Sequence, residues 1–249
     1  MTKRRKKLRA KKQTKILAGI VLVLIVGIAV LTGYQLITDH RSSGSKIRVV
    51  LDNAHGGDGS GYQGLFSEDE YNEKVVSELE ALLSARSNYT VTRTHAPSQP
   101  MNAATRVEAI NSASADLVLS IACHNGDSPN MTHMMVFAQP SSMKTHKDSV
   151  SFAEAITAAF KEKGYEADSG YYYFKPEREG LFQEHLVPLS DETDYGEETF
   201  ALMSARAPVV IASLPNVDSQ EDMDKWNTEE GIKEAANLYF LAITSIYGK

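Results

Sequence analysis

The hydrophobic positions of this chain change period several times. From Ile16 to about Ile37 they have no period at all: the run is apolar and holds no charged residue. A bilayer core needs about 20 such residues. A polar stretch follows, HRSSGSK at residues 40–46. The β-branched run Ile47–Asp52 (IRVVLD) then predicts a buried strand. It leads into a Gly-rich loop, NAHGGDGSGYQG. From Glu68 to Ala85, the residues Val75, Val76, Leu79, Leu82 and Leu83 fall on one helical face. Ser67 precedes them as an N-cap, with Glu70 placed for a capping box. Further strands are predicted at Tyr89–Thr94, Asp116–Ala122, His133–Gln139 and Pro208–Leu214. Helices are predicted at Ala103–Ala113, Ser149–Lys163 and Glu229–Tyr247, the last with Gly248 just past its end. Residues 164–199 are polar and rich in Tyr and Glu, and follow neither period. The expectation is an α/β fold: a mostly parallel twisted sheet with helices on both faces, preceded by one N-terminal transmembrane helix. In such sheets the site lies beyond the carboxyl ends of the strands. That directs attention to the loops after Asp52, Ile121 and Ile211.

Charge sets the topology. The first fifteen residues hold nine Lys or Arg and no acid. Positive charge of that density before an apolar run keeps its end in the cytoplasm, and it also touches anionic lipid heads. The competing reading is a cleaved signal peptide, whose apolar region is about 7–15 residues and closes on small residues. This run is longer, no A-x-A pattern ends it, and no Cys stands nearby to carry a lipid. The expected organisation is a basic cytoplasmic tail at residues 1–15, an anchor in the cell membrane at 16–38, a linker at 39–46 and an extracytoplasmic domain at 47–249. The whole chain carries −6, with 26 basic and 32 acidic residues. Beyond the tail 17 basic residues face the same 32 acids, a net −15, which repels nucleic acid and anionic lipid. Cys123 is the only cysteine, so no intramolecular disulfide forms. A domain of about 200 residues buries one substantial core and is held by it.

The candidate chemistry sits at the strand ends. His55 follows the first strand among glycines, Glu68 opens the next helix, and His124 follows DLVLSIA. Two imidazoles and a carboxylate from neighbouring strand ends would form a zinc site with one open position. Taken singly, each has a plainer role: a solvated loop His, or a first-turn Glu favoured by the helix dipole.

Ordered motifs extend that picture. Asp52–Gly57 (DNAHGG), Glu68–Asn72 (EDEYN), Val91-Thr92-Arg93, Arg106 in TRVEAIN, Ala115–Asn125 (ADLVLSIACHN) and Pro208–Ser213 (PVVIAS) succeed one another across residues 47–247. In order and spacing the set resembles the zinc-dependent N-acetylmuramoyl-L-alanine amidases of the amidase 3 type. The resemblance implies a cell-wall hydrolase that cleaves the lactyl–L-alanine amide of peptidoglycan. Its Zn2+ would be held by His55, Glu68 and a His of the third loop, and would polarise the amide and lower the pKa of a bound water. A Glu after the last strand would serve as general base. Arg93 and Arg106 are expected to brace loops.

Two positions depart from the family pattern. An ungapped match puts Ala122 at the third ligand, with His124 two residues on. Residues so spaced on a strand face one side about 6–7 Å apart, whereas a zinc–imidazole bond is about 2.0–2.1 Å. His124 serves only if the strand ends early, and Cys123 would face the other way. Ser213 stands at the catalytic Glu. A hydroxyl cannot hold a proton as a carboxylate does, and losing a general base costs about 10²–10⁴ in rate. Glu177, Glu179, Glu184, Glu192, Glu197 and Glu198 are the acids that could replace it. A Ser–His mechanism at Ser213 lacks its G-x-S-x-G context. Two functions stay open: a zinc amidase with shifted groups, or an inactive amidase-fold module that binds peptidoglycan or a partner at the membrane surface.

Overall fold

The computed structural model describes residues 46–55, 61–96, 99, 101–126, 133–176 and 182–248. The basic tail, the anchor and all but the last residue of the linker lie outside them. Among the described residues no helix is long and apolar enough to cross a membrane. Lys46 to Lys249 forms one compact unit.

Its strands are β1 (Ile47–Asn53), β2 (Tyr89–Arg93), β3 (Leu117–His124), β4 (Met134–Ala138), β5 (Ala167–Pro176), β6 (Phe182–Pro188) and β7 (Val209–Asn216). Its helices are α1 (Glu68–Ser84), α2 (Ala103–Ala113), α3 (His146–Glu162), α4 (Gln220–Trp226) and α5 (Glu229–Tyr247), with a 3-10 turn at Ala201–Ser204. The strands form one sheet in the order β2-β1-β3-β7-β4-β5-β6. β2, β1, β3 and β7 run parallel, β4 joins β7 antiparallel, β5 runs parallel to β4, and β6 returns antiparallel to β5. The sheet is therefore mixed. The two reversals come where the chain enters β4 and where β5 folds back on β6. That hairpin is built from the 164–199 segment that follows no clear period. α3 begins at His146, three residues before the expected start, and α4 was not anticipated.

Period-2 alternation sorts the side chains between the two faces. Val49, Leu51, Leu119, Ile121, Val210 and Ala212 pack with buried residues of α1, α3 and α5 in the larger core. Val50, Val118, Ala122, Phe137 and Ile211 face the other way. That second face is thinly covered, because α2 spans 11 residues and only Ile110 of it is buried. The sparse cover leaves space at the carboxyl ends of β1, β3 and β7.

Candidate active site

β1 ends at Asn53 and the chain turns into His55, held at φ 68°, a left-handed conformation that His visits more readily than most residues. Its ring is partly exposed, and Nε2 lies 3.3 Å from Glu68 Oε2. Glu68 opens α1 behind its Ser67 cap, yet its carboxylate is fully buried. Oε1 accepts a hydrogen bond from the Cys123 N–H at 2.7 Å, and Oε2 one from the Tyr62 N–H at 2.8 Å. Burial raises the Glu68 carboxyl above the usual range, against the opposing pull of His55 and those two N–H groups. The close approach needs Gly61. A Cβ there would lie 2.5 Å from Glu68 Oε2, and its φ of 73° suits glycine.

Beneath this pair lies a second network. Asp52 is fully buried and accepts from Thr94 Oγ1 at 2.6 Å, Ser120 Oγ at 2.7 Å and Arg106 Nη1 at 2.7 Å. Arg93 donates to Glu80 at 2.8 Å and pairs with Glu73 of α1. Arg93 thus ties β2 to α1 and Arg106 ties α2 to β1, so both join regular elements where loop bracing is the sequence expectation.

The β3–β7 side differs. Ala122 and Ser213 are register partners across the two parallel strands, so the two positions at which the sequence departs from the family pattern stand side by side. A register shift between Ala122 and His124 carries the His past this point. His124 is buried, its Nδ1 is 3.2 Å from Ser213 Oγ, and its Nε2 has no partner among the described residues. Burial first, and His133 second, lower its pKa to about 4, so the ring is neutral at pH 7. Cys123 points to the other face, with Sγ 3.5 Å from Asn72 Oδ1.

A catalytic zinc takes three protein ligands and keeps a fourth position open. His55 and Glu68 converge and supply two, while Ala122 offers a methyl. Among the described residues no three His, Cys, Asp or Glu side chains gather to hold a metal. As placed, the donors are one ligand short. Ser213 and His124 meet the distance of a nucleophile and its base, but a third group to orient the imidazole is absent from the described residues. A ring with a pKa near 4 is also a weak base at neutral pH.

Ala122 and Ser213 line a cleft of about 300 Å³, with His55, Arg106, Phe137, Tyr172, Phe200 and Glu184 around it. Of the described acids among the six named above, Glu184 alone lines it. Glu177 and Glu179 lie outside the described residues, Glu192 and Glu198 are exposed, and Glu197 faces His185 at 3.3 Å. Burial and the Glu184 carboxylate beside it push the Tyr172 hydroxyl above its usual range. The aromatic wall was not anticipated. The alternation in Tyr171–Phe174 carries its signal, since Tyr172 and Phe174 share the cleft face and Tyr171 and Tyr173 the opposite one.

Sheet, helical layers and a cleft beyond the parallel strand ends define an α/β domain with its site at the strand ends. The family model of N-acetylmuramoyl-L-alanine amidase, type amidase 3, matches residues 49–245. The chain belongs to this zinc-dependent family, and its function is peptidoglycan amidase-like. Among solved structures, the catalytic domain of the amidase CwlV from Bacillus (Paenibacillus) polymyxa superposes with a TM-score of 0.63 at 16% identity, covering 81% of this chain and 98% of that one. An N-acetylmuramoyl-L-alanine amidase from Clostridium difficile 630 gives 0.64 at 13% identity, over 83% and 99%. The CwlD amidase of Clostridioides difficile, in complex with the GerS lipoprotein, gives 0.59 at 14% identity, over 82% and 99%. At these identities the likeness is one of fold. Comparison with curated proteins gives no match.

Proposed function

We propose that this chain is a membrane-anchored amidase-family domain that holds the peptide portion of peptidoglycan in its cleft without cutting it. The observation that supports this reading is the register pair Ala122–Ser213, two small side chains side by side at the positions where the sequence departs from the family pattern. Binding survives those changes because both residues line the cleft and neither closes it. Residues 16–38 would span the cell membrane, with residues 1–15 in the cytoplasm and the domain at the wall. A protease added outside intact cells should then remove the domain and spare the tail.

Full-length protein in detergent provides the main test. It should cosediment with purified cell walls and release no stem peptide, with or without added zinc. One zinc per chain, with release abolished by His55→Ala, would overturn this reading in favour of a second. In that second reading the chain is a working zinc amidase with His124 as third ligand and Glu184 as base. It is favoured by the buried His124 Nε2 and Glu184 Oε2, which have no hydrogen-bond partner among the described residues. Zinc held by His55, Glu68 and His124 would polarise the scissile amide and acidify a water. Cosedimentation with wall-free membranes would instead point to a protein partner at the membrane surface.

A further inference from the structure

Two residues that line the cleft each carry a buried polar atom that the described residues leave without a hydrogen bond, Arg106 Nε and Glu184 Oε2. Buried polar groups are nearly always paired, and an exception calls for an explanation. Arg106 is anchored through Nη1 to Asp52, which fixes the guanidinium and leaves its Nε–H free. Glu184 stands on β6, opposite Phe174 of β5. The two residues reach one cavity from different elements, Arg106 from α2 and Glu184 from the edge strand β6. One is a donor and the other an acceptor. The wall near them is apolar, with Phe137, Tyr172 and Phe200.

A small cleft with an apolar wall and a few placed polar atoms is the usual form of a ligand site. One donor and one acceptor complement the chemistry of a peptide bond, which presents a carbonyl on one side and an N–H on the other. The aromatic faces are already engaged with one another. Tyr172 stacks on Phe200 with centroids 4.5 Å apart and an interplanar angle of 21°, and Phe137 meets Tyr172 edge-on. Little ring face is left for a sugar to stack on, which favours a peptide over a pyranose.

We propose that Glu184 and Arg106 read the bound peptide backbone, Glu184 Oε2 accepting from one of its N–H groups and Arg106 Nε donating to one of its carbonyls. The proposal rests on the reading that the cleft takes the peptide of peptidoglycan, and it assigns the recognition to a β5–β6 residue outside the motifs that carry the family resemblance.

The test uses N-acetylmuramyl-L-alanyl-D-isoglutamine as probe, titrated calorimetrically into the full-length protein. Glu184→Gln preserves shape and removes the charged acceptor, and should weaken binding about tenfold. Arg106→Lys keeps a cation for Asp52 but has no Nε, and should cost about as much. A chemical cycle then isolates the contact. Ester analogues replace each amide N–H of the probe in turn with oxygen. One of them should lose about tenfold on the wild type and nothing further on Glu184→Gln. Unchanged affinity in both variants, equal ester losses on wild type and Glu184→Gln, or no binding of the probe to the wild type would each overturn the proposal. Thermal unfolding of each variant excludes misfolding as the cause. Intact wall cosedimentation with unchanged probe affinity would sink this pair alone. Lost wall binding, with probe affinity still dependent on Glu184, would sink the wall-binding reading and leave the pair standing.

Discussion

The two rims of the cleft are built differently. On the β1 side the carboxylates are tied down: Asp52 takes hydrogen bonds from Thr94, Ser120 and Arg106, and Glu68 takes two backbone N–H groups and faces His55. These contacts join β1 to β3, α1 and α2, so the residues hold the fold together whatever chemistry they do. On the β3–β7 side, Ala122 and Ser213 present small side chains to the cleft, and His124 Nε2 has no hydrogen-bond partner among the described residues. Nothing in the sheet depends on a large group there. Scaffold and reaction chemistry therefore separate along one line across the molecule, and the reaction side can change at little cost to folding.

Restoring the second rim should have the largest effect. Ala122→His with Ser213→Glu places an imidazole and a carboxylate beside the His55–Glu68 pair, in space the cleft already provides. The double variant should bind one zinc per chain and release stem peptide about 10²–10⁴-fold faster than Ala122→His alone, the range a general base supplies. Zinc content and a release assay on purified walls check it. An inert double variant would mean that the loss extends beyond these two positions.

Breaking the first rim should cost folding instead. Asp52→Ala strands the Arg106 guanidinium, 11% exposed, without its partner. Removing one member of a buried ion pair costs about 3–5 kcal/mol, read as a fall in the urea midpoint. A loss below about 1 kcal/mol would erase the contrast between the rims.

The same contrast governs what the sequence could reveal. β1, α1, β3, β7 and α5 are marked by strong periods and caps, and their ends fall within a few residues of expectation. The His55–Glu68 contact follows from the glycines and the helix start that position both. The β3–β7 side resists a linear reading because the register shift between Ala122 and His124 depends on pairing with β7, which no local pattern reports. β5 and β6 resist for another reason. In β5 the alternation is Tyr against Tyr and Phe on both faces, and in β6 polar Gln, Glu and His interrupt the apolar positions, so hydrophobicity alone does not mark either strand. The cleft role of Glu184 comes from the hairpin and could not be read before the hairpin was placed.

His124 sharpens the comparison through pH. Its pKa is about 4 in the folded protein and 6.5 ordinarily, so the unfolded chain takes up the proton first. The stabilisation is complete above pH 6.5 and is lost as pH falls toward 4, a difference of about 3 kcal/mol. Glu68, with its raised carboxyl, contributes with the opposite sign. The wild type must therefore be compared with His124→Gln, which should lack the His124 slope in urea midpoints measured between pH 7 and 4. Parallel curves for the two proteins would show that the imidazole is not held neutral by burial.

The smallest effect is expected from Ser213→Ala, and it separates two roles for one hydroxyl. If Ser213 only partners His124, the variant loses about 1 kcal/mol of stability, the worth of one hydrogen bond. Wall binding should then change less than twofold, because the cleft loses a single oxygen and keeps its shape. If Ser213 is instead a nucleophile served by His124, stability hardly matters and any residual stem-peptide release disappears in the variant. The first outcome keeps the β3–β7 rim chemically quiet. The second would place a reaction there that needs no metal, and the restored Ala122→His, Ser213→Glu protein would then exchange one mechanism for another instead of gaining one.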